Sequence, residues 1–292
     1  MSILQKNYPL LVQGITGKEG SFQAKLMKSY GTNILAGVTP GKKGTFVEGI
    51  PVYNSIKSAM SEHPTIKASI VFVPPLFCFD AVLEAIVAGL EWIFVITEGI
   101  PVKDMLWLYH YSRYEGSSIV GPNSPGLIVP GISKVGIIPG NAFVPGDIGV
   151  ISRSGTLTYE VGNAMKNQGL GVSAAVGIGG DPIVGTTILD MARLFEADYR
   201  TKAIVLLGEI GGNMEEEFAS GIETGAITKP VVAYIAGVVA PPGKKMGHAG
   251  AILEQGDSTA IEKLSRLDAA GANIVATPWE IPNKLKKLNL TK

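Results

Sequence analysis

"PLLVQGITGKEGSF", residues 9–22, decides how the rest of the chain is read. Leu10, Leu11 and Val12 form an unbroken apolar run that stops at Gly14. Gly17 and Gly20 follow at three-residue intervals, and a helical period begins behind them. A strand that is apolar on consecutive positions is covered on both faces, which marks a parallel sheet. Strand, glycine turn and helix in that order open a doubly wound α/β domain. The spacing is GxxGxxG and not the dinucleotide GxGxxG. It therefore points to an anion at a helix N-terminus, or to a bare tight turn, without fixing a ligand.

Working outward, the same unit recurs. "NILAGVT", "KASIVFVP", "EWIFVIT" and "SSIVGP" read as four further buried strands, with helices predicted over 21–30, 79–89 and 103–115. Residues 123–147 hold four prolines and five glycines and read as a connection. The alternation then restarts. "DIGVIS", "GVSAAVGIG", "KAIVLLGEI", "KPVVAYIAG" and "ANIVAT" read as five more strands, with helices over 156–168, 187–199 and 258–270. The expectation is two α/β domains of similar size, each an open doubly wound sheet, with no sequence repeat between them. Ligands in such sheets bind beyond the carboxyl ends of the strands.

Composition narrows the function classes. Apolar residues make up 46% of the 292, enough for large cores. Lysine plus arginine balance aspartate plus glutamate at 25 each, with no long basic run, which argues against nucleic acid as a partner. The single cysteine, Cys78, excludes an internal disulfide and fits a reducing cytoplasm. The start "MSILQKNYPLLVQG" lacks the layout of a signal peptide. The apolar stretch 68–90 is broken by Pro74, Pro75, Asp80 and Glu84, so no membrane span is expected.

Chemistry collects at strand ends. Strand two runs into "GVTPGKKGT", with Lys42 and Lys43 where a nicotinamide site wants an acid. Cations there suit a ligand with an extra phosphate, NADP or the 3′-phosphate of coenzyme A, or else a solvated loop. "VISRSGTLTYE" places Ser152, Ser154, Gly155 and Thr156 where a helix starts, which is either a second anion site or simple capping. It is not the GxSxG elbow of a serine hydrolase. In "VLLGEIGGN", Glu209 ends a buried strand, where a carboxylate needs a cleft or a partner. "GKKMGHAGAI" supplies one, since His248 sits in a glycine loop at another strand end and a carboxylate fixes an imidazole's tautomer. No second histidine or cysteine has metal-ligand spacing. No segment matches the nucleotide-binding GxxxxGK[ST] loop.

Together "GITGKEG", "GVTPGKKG", "ITEGIP", "GPNSPG", "ISRSGTLTYE", "GIGGDP", "GEIGG" and "GKKMGHAGAI" resemble the alpha subunits of succinyl-CoA synthetases, collinearly over nearly the whole chain. The wider family is the nucleoside-diphosphate-forming acyl-CoA synthetases. The resemblance implies a Rossmann-like CoA-binding domain over 1–125 and a flavodoxin-like, doubly wound ligase domain over 126–292. It assigns CoA to Thr16, Gly17, Lys18, Glu19, Lys42, Ile96, Thr97 and Glu98. It makes His248 the phosphorylated residue, Glu209 its holder, and Ser154 and Gly155 the phosphate-binding helix start. It sets Tyr159 near the carboxylic acid substrate, although a helical tyrosine is commonly core. Some members carry cysteine where this chain has Ser124, so no nucleophile is expected there.

The reaction implied is reversible formation of succinyl-CoA from succinate, CoA and a nucleoside triphosphate, through phosphohistidine. The nucleotide and its Mg2+ would sit on a beta subunit, in a heterodimer or heterotetramer, in the cytoplasm. A ligase for malate, citrate or another short acid would use much the same chain. A non-catalytic CoA-binding protein would have no use for His248, Glu209 and "SRSG". An NADP oxidoreductase would need a hydride-transfer residue set that the sequence does not show.

Overall fold

The computed structural model describes residues 3–4 and 7–288. Residues 1 and 292, the outer bounds of the two expected domains, lie outside them. The N-terminal half runs β1 (Leu10–Gln13), α1 (Lys18–Tyr30), β2 (Ile34–Val38), β3 (Phe46–Val47), β4 (Ile50–Tyr53) and α2 (Ile56–Glu62). It continues through β5 (Ala68–Val71), α3 (Pro75–Val87), β6 (Trp92–Val95), α4 (Val102–Glu115) and β7 (Ser118–Val120). These strands form one sheet in the order β3-β4-β2-β1-β5-β6-β7. All pairs are parallel except β3 with β4. Without β3 this is the six-strand order of the Rossmann fold, whose direction reverses between β1 and β5.

The second half holds β8 (Gly126–Val129), β9 (Ser133–Gly136), β10 (Pro145–Ser152), α5 (Gly155–Asn167), β11 (Val172–Gly177) and α6 (Ile188–Ala197). Then come β12 (Ala203–Glu209), α7 (Met214–Glu223), β13 (Val231–Ala236), α8 (Ala260–Ala269), β14 (Asn273–Ile274), a 3-10 turn at Pro278–Glu280 and α9 (Ile281–Lys287). Their sheet order is β14-β13-β12-β10-β11-β8-β9. The five parallel strands β10 to β14 follow the flavodoxin order, and β10 is the switch point. Every residue of β1, β5, β11 and β12 is buried, as continuous apolar strands require. Helix α1 buries Gly20, Gln23, Ala24 and Met27, one stripe at helical spacing. Among the described residues no helix is long and apolar enough to cross a membrane.

Each sheet has seven strands where the sequence suggests five. The first gains the hairpin β3–β4, turned by Glu48 and Gly49 with φ of 52° and 75°. Two positive φ values make the two-residue turn that matches strand twist. Its strands of two and four residues are too short to show a period. Residues 123–147, read as a connection, contain instead β8, β9 and the start of β10. The glycines that suggested a loop are contact points, because Gly126 and Gly136 are opposite in the antiparallel pair. A Cβ on either would run into the facing backbone. Helices α1 and α3 also start three and four residues earlier than expected. Pro75 opens α3 at its first helical position, where the missing N–H would have no intrahelical partner.

Candidate functional site

The first candidate site lies at the Rossmann switch point. Gly14, with φ of 78°, turns the chain out of β1. A Cβ at Gly20 would run into the Gly14 carbonyl, so the first turn of α1 sits tight against the loop. A cleft of about 530 Å³ opens beside it, lined by Gln13 at the end of β1 with Gly14, Thr16 and Gly17 behind it, and by Val38 at the end of β2 with Thr39 and Pro40 behind it. Phe72, Val73, Pro74 and the first turns of α3 close its far wall. The Thr16 hydroxyl reaches that of Thr39 at 3.1 Å, tying the two loops together.

The expected residues are not all on this cleft. Thr16 and Gly17 line it. Lys18 and Glu19 belong to α1's first turn and not to the loop, and both are exposed. Lys42 is exposed on the turn after β2, outside the lining; its amide donates to the Thr39 carbonyl at 3.1 Å. Ile96, Thr97 and Glu98 follow β6, one strand beyond the switch point. The Thr97 hydroxyl donates to the Val73 carbonyl at 2.7 Å, which joins that segment to the cleft wall.

The second site gathers strand ends of the other sheet. Glu209 is the last residue of β12 and Ser154 follows β10, while His248 lies in the long segment between β13 and α8. The structure brings two of them into contact: His248 Nδ1 and Glu209 Oε2 are 2.8 Å apart. The carboxylate accepts from Nδ1–H, so Nε2 keeps the lone pair. This hydrogen bond lifts the imidazole above its ordinary pKa; burial and Arg153 pull the other way, while the Glu209 and Asp181 charges add to the rise. The side chain of His248 is 27% exposed. The ring rests on Gly180 in the turn after β11, where a Cβ would overlap imidazole Cγ and Nδ1.

Ser154 caps α5, its hydroxyl accepting from the Leu157 amide at 3.3 Å. Gly155 and Thr156 supply first-turn amides, which an α-helix leaves without intrahelical partners. Tyr159, one turn on, is half-buried against the apolar cluster beneath α5 and α9. Ser124 is buried and donates to the Gly177 carbonyl at 2.5 Å, a packing role.

Behind Glu209 is a charge network that sequence reading missed. Arg153 and Lys263 are 2% and 0% exposed. Arg153 Nε stands 3.3 Å from Glu209 Oε1 but off the hydrogen-bond direction, so the contact is one of charge. Arg153 also reaches Glu215 Oε1 at 3.2 Å, and Lys263 Nζ reaches Glu215 Oε2 at 2.6 Å. Both cations donate to the Gly211 carbonyl, at 2.8 and 3.0 Å. Burial alone would raise the Glu215 pKa, but the two cations hold it below the ordinary carboxylate value. Asn123 and Asp181 were missed too. The Asn123 amide donates to the Thr97 carbonyl at 2.9 Å, and its side chain donates to Asp181 Oδ1 at 3.0 Å. Burial raises the Asp181 pKa; Glu98 adds to that, and the Asn123 hydrogen bond and His248 oppose it. Through this pair the strand-end segment at Thr97 and Glu98 adjoins the histidine site.

A Rossmann sheet with a glycine turn at its switch point is followed in the chain by a flavodoxin-like sheet that holds a buried carboxylate against one histidine. Family models agree in chain order: a CoA binding domain matches residues 5–99 and a CoA-ligase domain matches 151–273. The chain is 52% identical to the succinate–CoA ligase [ADP-forming] subunit alpha of Aquifex aeolicus, over 98% of this chain and 94% of that one. It is 52% identical to subunit alpha 2 of Archaeoglobus fulgidus, over 96% of each. The chain belongs to the family of succinate–CoA ligase alpha subunits. Among solved structures, ATP citrate lyase of Methanosaeta concilii in complex with (3S)-citryl-CoA superposes with a TM-score of 0.90 over 98% of this chain. This chain spans half of that one, and at 24% identity the likeness speaks for the fold alone.

Proposed function

We propose that the chain is the alpha subunit of a succinate–CoA ligase, that it divides after residue 125 into a CoA-binding and a ligase domain, and that His248 carries the phosphate between steps. The observation that supports this reading most directly is the 2.8 Å contact of Glu209 with His248 Nδ1. It leaves Nε2 as the nucleophilic nitrogen, on a site with α5's first-turn amides at a neighbouring strand end.

In the forward direction Nε2 attacks the terminal phosphorus of the nucleoside triphosphate, and the diphosphate leaves. A succinate carboxylate oxygen then takes the phosphoryl group, the N–P bond breaks, and the imidazole is regenerated. The CoA sulfur attacks the acyl phosphate carbon, the thiol proton is lost, and phosphate departs. Glu209 keeps the ring in one tautomer and balances the imidazolium character that develops as the N–P bond forms. Ser154 and Gly155 receive the phosphoryl oxygens at the start of α5. Tyr159 stands near the acid.

CoA is assigned to the N-terminal cleft, with Thr16 and Gly17 on its wall, Lys18 and Glu19 in the adjoining helix turn, and Ile96, Thr97 and Glu98 at its outer edge. Lys42, exposed and unconstrained at its tip, reaches the extra phosphate. The nucleotide belongs to a beta subunit. Among the described residues no three His, Cys, Asp or Glu side chains are placed to hold a metal, and Mg2+ is assigned with the nucleotide to that partner. Val238, Val239 and Met246 are 49%, 93% and 44% exposed on the segment that carries His248. Exposed apolar side chains on the histidine segment fit a partner docked over that segment. We place the complex in the cytoplasm.

The test is phosphoryl transfer. With the partner present, the chain should take an acid-labile, base-stable phosphate label from nucleoside triphosphate, and His248→Ala should remove label and turnover while still binding CoA. Label that persists in this variant overturns the assignment.

A further inference from the structure

Lys134, on β9, is a cation that the proposed reaction does not use. It is 3% exposed and packs against α1 of the other half of the chain. Its backbone is clamped there: the Lys134 amide donates to the Thr32 hydroxyl at 3.0 Å, and that hydroxyl donates to the Lys134 carbonyl at 2.6 Å. The side chain then runs along α1. Nζ donates to the Gly136 carbonyl at 2.8 Å and to Gln23 Oε1 at 3.2 Å. Gln23, itself buried, donates through Nε2 to Glu19 Oε1 at 2.9 Å. Glu19 lies in the first turn of α1, directly after the glycine loop.

The result is a three-residue relay, Lys134 to Gln23 to Glu19, that starts in one sheet and ends at the ligand-facing tip of the other. Burial is costly for this ammonium and lowers its pKa to about 8, against an upward pull from Glu19. A methionine would fill the same volume without that cost. A buried charge that could be replaced so simply, yet is wired to a binding turn, calls for a role beyond packing.

We infer that Lys134 is a positioning residue for CoA: through Gln23 it fixes Glu19, and so holds the first turn of α1 in the geometry that receives the CoA phosphates. The inference rests on the proposed placement of CoA in the N-terminal cleft. By contrast, the relay touches no group of the histidine site, so it should act on CoA binding and not on phosphorylation of His248.

Isothermal titration with CoA, on the full chain, separates the two claims. Thr16→Glu puts a carboxylate into the cleft and should abolish CoA binding; if it does not, the placement of CoA is wrong. With that control met, Lys134→Met and Gln23→Met should each raise the CoA dissociation constant roughly 3- to 10-fold, the size of a lost buried hydrogen bond. The double variant should lose no more than either single one, since one relay is cut once. Labelling of His248, measured with the partner subunit, should proceed at the wild-type rate in both. Gln23→Met alone decides the matter if Lys134→Met fails to fold. A CoA affinity within twofold of wild type, or losses that add in the double variant, overturns the inference.

Discussion

The imidazole of His248 rests on the bare Cα of Gly180, in the turn after a strand three places away in the sheet from the one that precedes the histidine segment. Gly180 is not among the residues with positive φ, so its backbone would accept alanine. The nearest atoms a methyl group there would meet all belong to His248. Gly180→Ala should therefore push His248 off Glu209 and reduce phosphate labelling at least tenfold. CoA affinity should stay at the wild-type value, and destabilisation should be about 1–3 kcal/mol, as for other overpacked sites. Labelling at the wild-type rate in Gly180→Ala would show that the ring does not need this seat.

Glu209 sets the protonation of His248 as well as its orientation. The hydrogen bond and charge of Glu209 raise the imidazole pKa, while burial and Arg153 lower it. Attack requires an unprotonated Nε2, so the phosphorylation rate should climb with pH through a midpoint above about 6.5. In Glu209→Gln the raising influences shrink and the lowering ones remain, so the midpoint should move down. The plateau rate should fall roughly 10²–10⁴-fold for loss of the orienting group. The sign for stability is the reverse. A histidine with a raised folded-state pKa contributes stability that is complete below its unfolded value and is lost as pH rises through the folded one. Single-turnover labelling across pH 5–9 checks the first claim, and a midpoint unmoved by the substitution would refute it.

Lys263 and Arg153 share Glu215 and two backbone carbonyls of the β12–α7 turn. Removing Lys263 leaves two buried carboxylates, Glu209 and Glu215, sharing the single charge of Arg153. Lys263→Met should cost roughly 3–5 kcal/mol. Adding Glu215→Gln restores the charge balance, with Arg153 left facing Glu209 alone, and should recover much of that loss. Denaturant unfolding of the two single variants and the double one measures the coupling. Additive losses would mean that the network is not one unit.

This network also shows where sequence reading ends. The strands and most helices announce themselves by local period, and Glu209 and His248 by being polar at the tips of apolar or glycine-rich segments. Arg153 sits between two serines in a capping sequence, and Lys263 follows a glutamate within an amphipathic helix. Both look like solvated surface, and only folding carries them across 48–62 positions to Glu215. Gly180 did leave a trace in the doubled glycine of "GIGGDP". Nothing in the string says what presses against it. Likewise the glycines of 123–147 read as loop because close approach of two strands and freedom of one chain demand the same residue.

The chain should not complete the reaction alone. Its two switch points are both engaged, one by the glycine cleft of the Rossmann sheet and the other by the histidine site, and the sequence has no GxxxxGK[ST] loop to hold a triphosphate. Val238, Val239 and Met246, exposed on the segment that carries His248, present apolar side chains of the kind that partners cover. A permanent subunit contact there would bury more than about 2,000 Å². Val239→Asp, at 93% exposure, should leave the isolated chain folded and its CoA affinity intact. In the same variant, labelling and turnover after addition of the nucleotide-binding subunit should fall in step with the loss of complex, followed by sedimentation. Turnover by the purified chain alone, or full complex formation by Val239→Asp, would each show that the histidine is not served from across this surface.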